Sequence, residues 1–290
     1  MRIGFTKVKM MLALSWCCLC VRAAGPLYQR ADSITICNLL REAGQQPAGT
    51  NMPLYFARHF LGKPYVAHTL ETNGGERLVV NTRQLDCTTL VETVTALTRC
   101  AHRKQYTWSA YLKALTAMRY RNGKISNYTS RIHYFTEWIV ENQKAGLVKE
   151  IQSPEPPFSA TQTVKVGYMS SHPESYAALK AHPEYVSDIS RMEQRINGLK
   201  FRYIPKAGVG RSSELRQAVQ DGDIIAITSS KQGLDIAHLG FAVWGRGGTL
   251  HLLNASSLHK KVITDPQPLQ KYMQRQPRNL GVRVIRILGE

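Results

Sequence analysis

Leu85-Asp86-Cys87-Thr88-Thr89-Leu90-Val91-Glu92 sets an acidic residue and a thiol at the head of an apolar pattern with helical period. Positions 87, 90, 91, 94 and 97 hold Cys, Leu, Val, Val and Leu, so the sulfur lies on the stripe that packs against the rest of the protein. Asp86 is a natural N-cap. Unpaired backbone N–H groups and the positive end of the helix dipole favour thiolate over thiol, which predicts a nucleophilic Cys87 with a lowered pKa. The competing reading is an inert core cysteine, the commoner fate of a lone Cys without a partner base.

Outward from this stretch, Ser33 to about Ala101 reads as mainly helical, with an interruption over Glu71 to Glu76 and a short strand at Leu78 to Val80. Helices follow over Tyr106 to Tyr120 and His133 to Gln143. Beyond the Pro-rich break at Ser153 to Phe158, Tyr168 to Tyr185 reads as helix broken by Pro173 and Pro183, and Val186 to Asn197 as another. The last third changes to strands at Phe201 to Ile204, Asp223 to Ile227, Leu239 to Trp244, Leu250 to Leu253 and Val282 to Ile287. Helices first and strands later predict an α+β fold.

The chain opens with Arg2, Lys7 and Lys9, an apolar run from Met10 to Val21, and the small residues Ala23, Ala24 and Gly25. This is the pattern of a secretory signal peptide over 1–23, leaving 24–290 as one domain. The run is short for a membrane span, and Arg22 interrupts its end. Cys17, Cys18 and Cys20 leave with the leader. Cys37, Cys87 and Cys100 remain, an odd number, so at least one thiol is expected to be free. The formal charge of +18 includes Arg2, Lys7, Lys9 and Arg22, which leaves +14 on the mature chain. A surface this basic attracts acidic polymers, and for an exported protein a carboxylate-rich cell wall is the natural one. The basic residues are scattered, and nothing matches a nucleic-acid-binding module.

A nucleophilic cysteine needs a general base and a group to orient it. His238 is the candidate base, in Ala237-His238-Leu239-Gly240-Phe241-Ala242-Val243-Trp244. His238, Gly240 and Ala242 share one strand face, small enough for a helix to approach closely. The orienter should come from the next strand, His251-Leu252-Leu253-Asn254-Ala255-Ser256, and register decides which residue it is. Paired residue numbers summing to 493 set Ala255 opposite His238, 492 sets Asn254 there and 494 sets Ser256. A three-residue Gly245–Gly247 turn gives 492 and favours Asn254, with Ser256 as the alternative.

These residues resemble a known family. Asp86-Cys87-Thr88 before a buried helix, His238 on a later strand and a polar residue on the next are similar to the papain-like, NlpC-type cell-wall peptidases. The Leu85–Glu92 stretch, Arg131-Ile132-His133-Tyr134-Phe135, Ile204-Pro205-Lys206, Asp221-Gly222-Asp223 and Ala237-His238-Leu239-Gly240 resemble the N-acetylmuramoyl-L-alanine amidase-like branch, long catalogued as a domain of unknown function. The resemblance implies cleavage of the amide between muramic acid, or its anhydro form, and L-alanine in small muropeptides, through a Cys87–His238 thioester mechanism without a cofactor. It implies a Gly-x-Pro-Tyr entry at Leu61-Gly62-Lys63-Pro64-Tyr65, with Tyr65 beside the thiol, and lends weight to Arg131, His133 and Tyr134 as contacts to sugar and carboxylate groups. The backbone N–H of Cys87 is the expected oxyanion donor, and Gln84 a weaker one.

Other classes remain open at this stage. A zinc amidase lacks its usual His-Glu-x-x-His signature here, and the histidines of the mature chain are dispersed. An NlpC-type peptidase cutting within the stem peptide would use the same nucleophile. A non-catalytic envelope protein that binds peptidoglycan would keep Cys87 structural.

Overall fold

The computed structural model describes residues 25–289 apart from 73 and 211, so the leader proposed for 1–23 lies outside the described residues. Helix α1 (Arg30–Ala43) buries Ile36, Leu39, Leu40 and Ala43, the spacing of one helical face. Its Asp32 is fully buried and accepts from the Thr82 amide and hydroxyl, both at 2.8 Å. Burial pushes this carboxyl up, but the amides of Thr82 and Gln29 outweigh it and hold the group below the usual range. Helix α2 (Met52–His59) follows. The tether from α1 fixes the loop that leads into α3 (Cys87–His102), the helix that carries Cys87.

Helix α3 is buried on nearly every side from Thr89 to Ala101, as a helix enclosed by a protein core must be. Its charge Glu92 is matched by Arg119, at 2.7 Å, from α4 (Trp108–Arg119). Helix α5 (Phe135–Lys144) starts two residues later than the sequence predicts, because Arg131 to Tyr134 are drawn into other contacts described below.

Eight strands form an antiparallel sheet: β1 (Val148–Ile151), β2 (Ala160–Thr163), β3 (Lys200–Pro205), β4 (Ile224–Ser229), β5 (Ile236–Trp244), β6 (Leu250–Ser256), β7 (Lys261–Thr264) and β8 (Asn279–Ile287). The order is β2-β3-β8-β4-β5-β6-β7, with β1 also paired to β8. The α+β reading thus holds. The 168–185 region is two short helices, α6 (Tyr168–Ser171) and α7 (Ala177–Ala181), because the prolines and the 3-10 turn at Pro173 interrupt it, and α8 (Tyr185–Ile196) follows.

The sheet is covered on both faces. Leu239, Phe241, Leu253 and Ala255 belong to the core built around α3, whereas Ala242, Leu250 and Leu252 belong to a second core with α9 (Ser213–Ala218) and α10 (Leu269–Gln274). Alternation along the strands produces this division. It corrects one expectation: α3 packs on the Leu239 and Phe241 face, not on the small-residue face of His238. Among the described residues, no helix is long and apolar enough to cross a membrane.

Candidate active site

Cys87 is the first residue of α3. Asp86 caps the helix, its Oδ1 accepting from the Thr89 amide at 2.7 Å while the Asp86 amide donates to Thr89 Oγ1 at 2.9 Å. The half-buried sulfur is served by donors from the Leu239 amide and from the hydroxyl and amide of Thr88. These favour thiolate, yet burial dominates, and with the adjacent Asp86 charge it pushes the thiol up to about 12. The predicted lowering is therefore corrected: burial first, and the capping carboxylate after it, outweigh what the helix start and the nearby donors offer the thiolate. Cys37, Cys87 and Cys100 are all free thiols.

His238 is fixed from β6. Its Nε2 lies 3.0 Å from Asn254 Oδ1, and the Asn254 Nδ2 donates to Leu252 O at 3.2 Å. The second contact settles the amide orientation, so Oδ1 faces the ring and Nε2 must carry the proton. Nδ1 then holds the lone pair. Burial lowers the ring pKa, opposed by the Asn254 hydrogen bond and the charges of Asp86 and Asp265.

The register producing this contact is not the predicted one. Phe241 pairs with Leu253 and Trp244 with Leu250, a sum of 494. The turn is Arg246-Gly247-Gly248, one residue later than expected, because Gly247 and Gly248 both take positive φ, 81° and 73°. The ladder ends at Phe241; carried one residue further, it sets Asn254 beside Gly240 and one diagonal step from His238. A Cβ on Gly240 would meet Leu253 O at 2.6 Å, so the glycine is what lets the strands close and Asn254 reach across. Ser256, which this register aligns with His238, instead accepts from the His259 amide at 3.1 Å. A bulge between β4 and β5 at Ile227/Thr228 further re-aims the start of β5.

Cys87 and His238 are joined through neighbours. Leu239, whose amide serves the sulfur, follows His238 in the chain. Tyr272, on α10, stacks on the imidazole with centroids 6.2 Å apart, and its phenol is raised by burial and then by the charges of Asp265 and Cys87. Among the hydrogen bonds of the described residues, none links the thiol directly to the ring. Tyr65 is near the thiol as well: its amide donates to Lys260 O at 2.9 Å, and its phenol is raised by burial and then by Cys87 and Asp86. Gln84 is exposed on the preceding loop.

The Arg131, His133 and Tyr134 expectation requires correction. Arg131 is buried and committed to Glu71 at 2.6 Å and Glu76 at 3.7 Å, so its fork serves the protein's own carboxylates. Tyr134 is 4 % exposed, and its hydroxyl is committed within the protein, donating to Glu193 and accepting from the Met169 amide. His133 packs on Tyr128 and donates from Nε2 to Tyr128 O at 3.0 Å, and burial holds its pKa well below the ordinary value. His133 and Tyr134 still line a cavity of about 460 Å³ that reaches Ile236, two residues before His238.

Sequence reasoning missed Thr88, Tyr272 and Asp265. The first stood in the quoted motif. The other two belong to 265–274, a stretch with no period strong enough to read. Among the described residues, no three His, Cys, Asp or Glu side chains are grouped to hold a metal ion.

The site thus gathers a thiol at a helix start, an imidazole at the start of β5 and an amide that fixes the ring's tautomer. The family profile described as AmiA-like, N-acetylmuramoyl-L-alanine amidase-like, matches residues 55–282, and the chain belongs to that family. It is similar to an N-acetylmuramoyl-L-alanine amidase from Bacteroides uniformis, at 38 % identity and TM-score 0.76, covering 85 % of this chain and 99 % of the other. A Bacteroides fragilis protein whose name proposes a xylanase is 35 % identical, with TM-score 0.75 and coverage of 81 % and 100 %. A Legionella pneumophila protein at 22 % identity and TM-score 0.66, covering 88 % and 94 %, shares the fold. No curated protein matches the chain.

Proposed function

We propose that the protein is an exported, papain-like cysteine amidase that cleaves the bond between N-acetylmuramic acid and L-alanine in peptidoglycan fragments. The observation that carries this reading is the Asn254 contact on His238 Nε2, which leaves Nδ1 as base. The family and the named amidase relative supply the substrate class. In the reaction, Cys87 Sγ attacks the lactyl carbonyl as Nδ1 of His238 takes the thiol proton. The tetrahedral oxyanion is met by the Cys87 backbone N–H at the helix start. Collapse breaks the C–N bond, His238 returns the proton to the departing L-alanine nitrogen, and the lactyl group remains as a thioester. Water, deprotonated by His238, then hydrolyses that thioester and regenerates the thiol.

Because burial holds the thiol up and the imidazole down, the resting pair is neutral, and proton transfer accompanies attack. Glycoside hydrolysis needs two carboxylates flanking the bond. Here Asp86 is consumed in capping α3, which disfavours the chemistry proposed by the xylanase name.

Mass spectrometry of the mature protein, beside Cys87→Ala, with a defined muramoyl-tetrapeptide carrying its sugar tests the reading. Free intact tetrapeptide made only by the wild type is the expected result. Cleavage inside the peptide would move the protein to the endopeptidases, and product from Cys87→Ala would remove the thiol from the mechanism.

A further inference from the structure

Asp265, which follows β7, is a buried carboxylate with little to balance it. It is 3 % exposed, and among the described residues its ion-pair partner is His259, with Nε2 3.8 Å from Oδ2; no lysine or arginine meets it. Its Oδ1 accepts from the Gln267 amide at 2.9 Å. A carboxylate held out of water with one exposed imidazole as its ion partner costs stability, so the fold keeps it against a penalty.

The backbone carbonyl that fixes Asn254 also fixes Asp265. The Asp265 amide donates to Leu252 O at 2.8 Å, and Asn254 Nδ2 donates to the same oxygen while Oδ1 reaches His238. His251 Nδ1 donates to Asp265 O at 3.0 Å, a second tie to β6. From there the chain turns into α10, where Leu269 and Met273 are fully buried and Tyr272 shares their helical face. That face lays the Tyr272 ring on the imidazole, with centroids 6.2 Å and planes 28° apart, an offset stack. Among the hydrogen bonds of the described residues, none involves the Tyr272 hydroxyl, so the contact to His238 is the ring's.

The charged and titratable groups around His238 are therefore Asp86 and Cys87 at the head of α3, Tyr272 on α10 and Asp265 after β7, with His259 and His251 behind Asp265. Burial disfavours the protonated ring; the Asn254 hydrogen bond and then the charges of Asp86 and Asp265 favour it. A cation is also attracted to an aromatic face, so the stack works in the same direction as the carboxylates.

We propose that Asp265 and Tyr272 are positioning residues for His238: the Tyr272 ring holds the imidazole in the plane that lets Asn254 reach Nε2, and the Asp265 carboxylate steadies the imidazolium that forms as Nδ1 takes the Cys87 proton. The proposal rests on the amidase reading for its reaction and substrate.

The test follows kcat/KM against pH for wild type, Asp265→Asn, His259→Lys, Tyr272→Leu and Tyr272→Phe on a muramoyl-tetrapeptide carrying its sugar. NMR titration of the histidine rings in the same proteins, with His238 assigned by its loss in His238→Ala, supplies a readout that needs no substrate. Asp265→Asn keeps an acceptor for the Gln267 amide and removes the charge. Its kcat is expected to fall about three- to tenfold at constant KM, and the acid limb and the His238 titration both to move to lower pH. His259→Lys, on an exposed turn, sets a permanent cation beside Asp265 and should move both the same way, which keeps the test open if Asp265→Asn does not fold. Tyr272→Leu is expected to lower kcat about tenfold, and Tyr272→Phe to recover most of that loss. A limb and a His238 titration that stay at the wild-type pH in Asp265→Asn and His259→Lys overturn the role of the carboxylate. Equal losses in Tyr272→Leu and Tyr272→Phe overturn the role of the ring. A His238 titration that moves in a protein whose wild type releases no peptide keeps the pair and ends the amidase reading; release of peptide with an unmoved titration does the reverse.

Discussion

Asn254 holds His238 across a glycine: its Oδ1 reaches Nε2 at 3.0 Å on a diagonal of the β5–β6 pair, over Gly240, which has no side chain to block it. The amide fixes the tautomer but takes no proton itself. Asn254→Ala is expected to lower kcat/KM about 10- to 100-fold, the loss of one hydrogen bond of about 1.5–3 kcal/mol to a group that becomes charged during the reaction. Ser256→Ala, which removes only a turn contact, is expected to stay within a few-fold. The opposite ranking in steady-state assays would transfer the orienting role.

The pH dependence follows from a neutral resting pair. Burial lowers the His238 pKa, so the basic ring is present at neutral pH and is lost as pH falls through a value below 6.5. The thiol, pushed up to about 12, contributes no alkaline limb in the usual range. A kcat/KM profile that rises through one pKa below 6.5 and stays level past pH 9 is expected. A bell closing near pH 8 would instead indicate a thiolate–imidazolium pair.

Asp86 is both cap and antagonist. Asp86→Asn keeps an N-capping side chain but removes the charge that raises Cys87. Alkylation of the thiol by iodoacetamide at pH 8 is expected to quicken severalfold with little change in thermal midpoint. An unchanged rate would mean that burial alone sets the thiol.

Arg119 lies 2.7 Å from Glu92, and both side chains are 2 % exposed. Arg119→Met strands a buried carboxylate against α3 and should cost about 3–5 kcal/mol. Differential scanning calorimetry should register a drop of roughly 10 °C, at about 2–4 °C per kcal/mol for a chain of this size. A drop of only a degree or two would show that water reaches Glu92.

How far the chain can be read depends on where each residue's partner lies. The α3 stripe and the alternation of Leu239, Phe241 and Val243 are local patterns, and both elements form where the residues point. The β5–β6 register turns on which glycines take positive φ, and three candidates in Gly245-Arg246-Gly247-Gly248 cannot be ranked from composition. The Arg131 error has a different cause. A guanidinium suited to a ligand carboxylate is equally suited to Glu71 and Glu76, sixty and fifty-five residues away, and only the fold decides between them. Strands β1, β2 and β7 are four residues each, too short to show a period.

The last strand of the chain is not at the edge of the sheet. β8 lies between β4 on one side and β1 and β3 on the other, and β4 in turn supports β5 with His238. A ribosome-bound chain that has already produced Cys87 and His238 still lacks the strand against which β4 must pair. The strand that carries His238 is therefore supported by one made well after it, and a variant lacking β8 is expected to leave β4 with β5 as its remaining sheet partner.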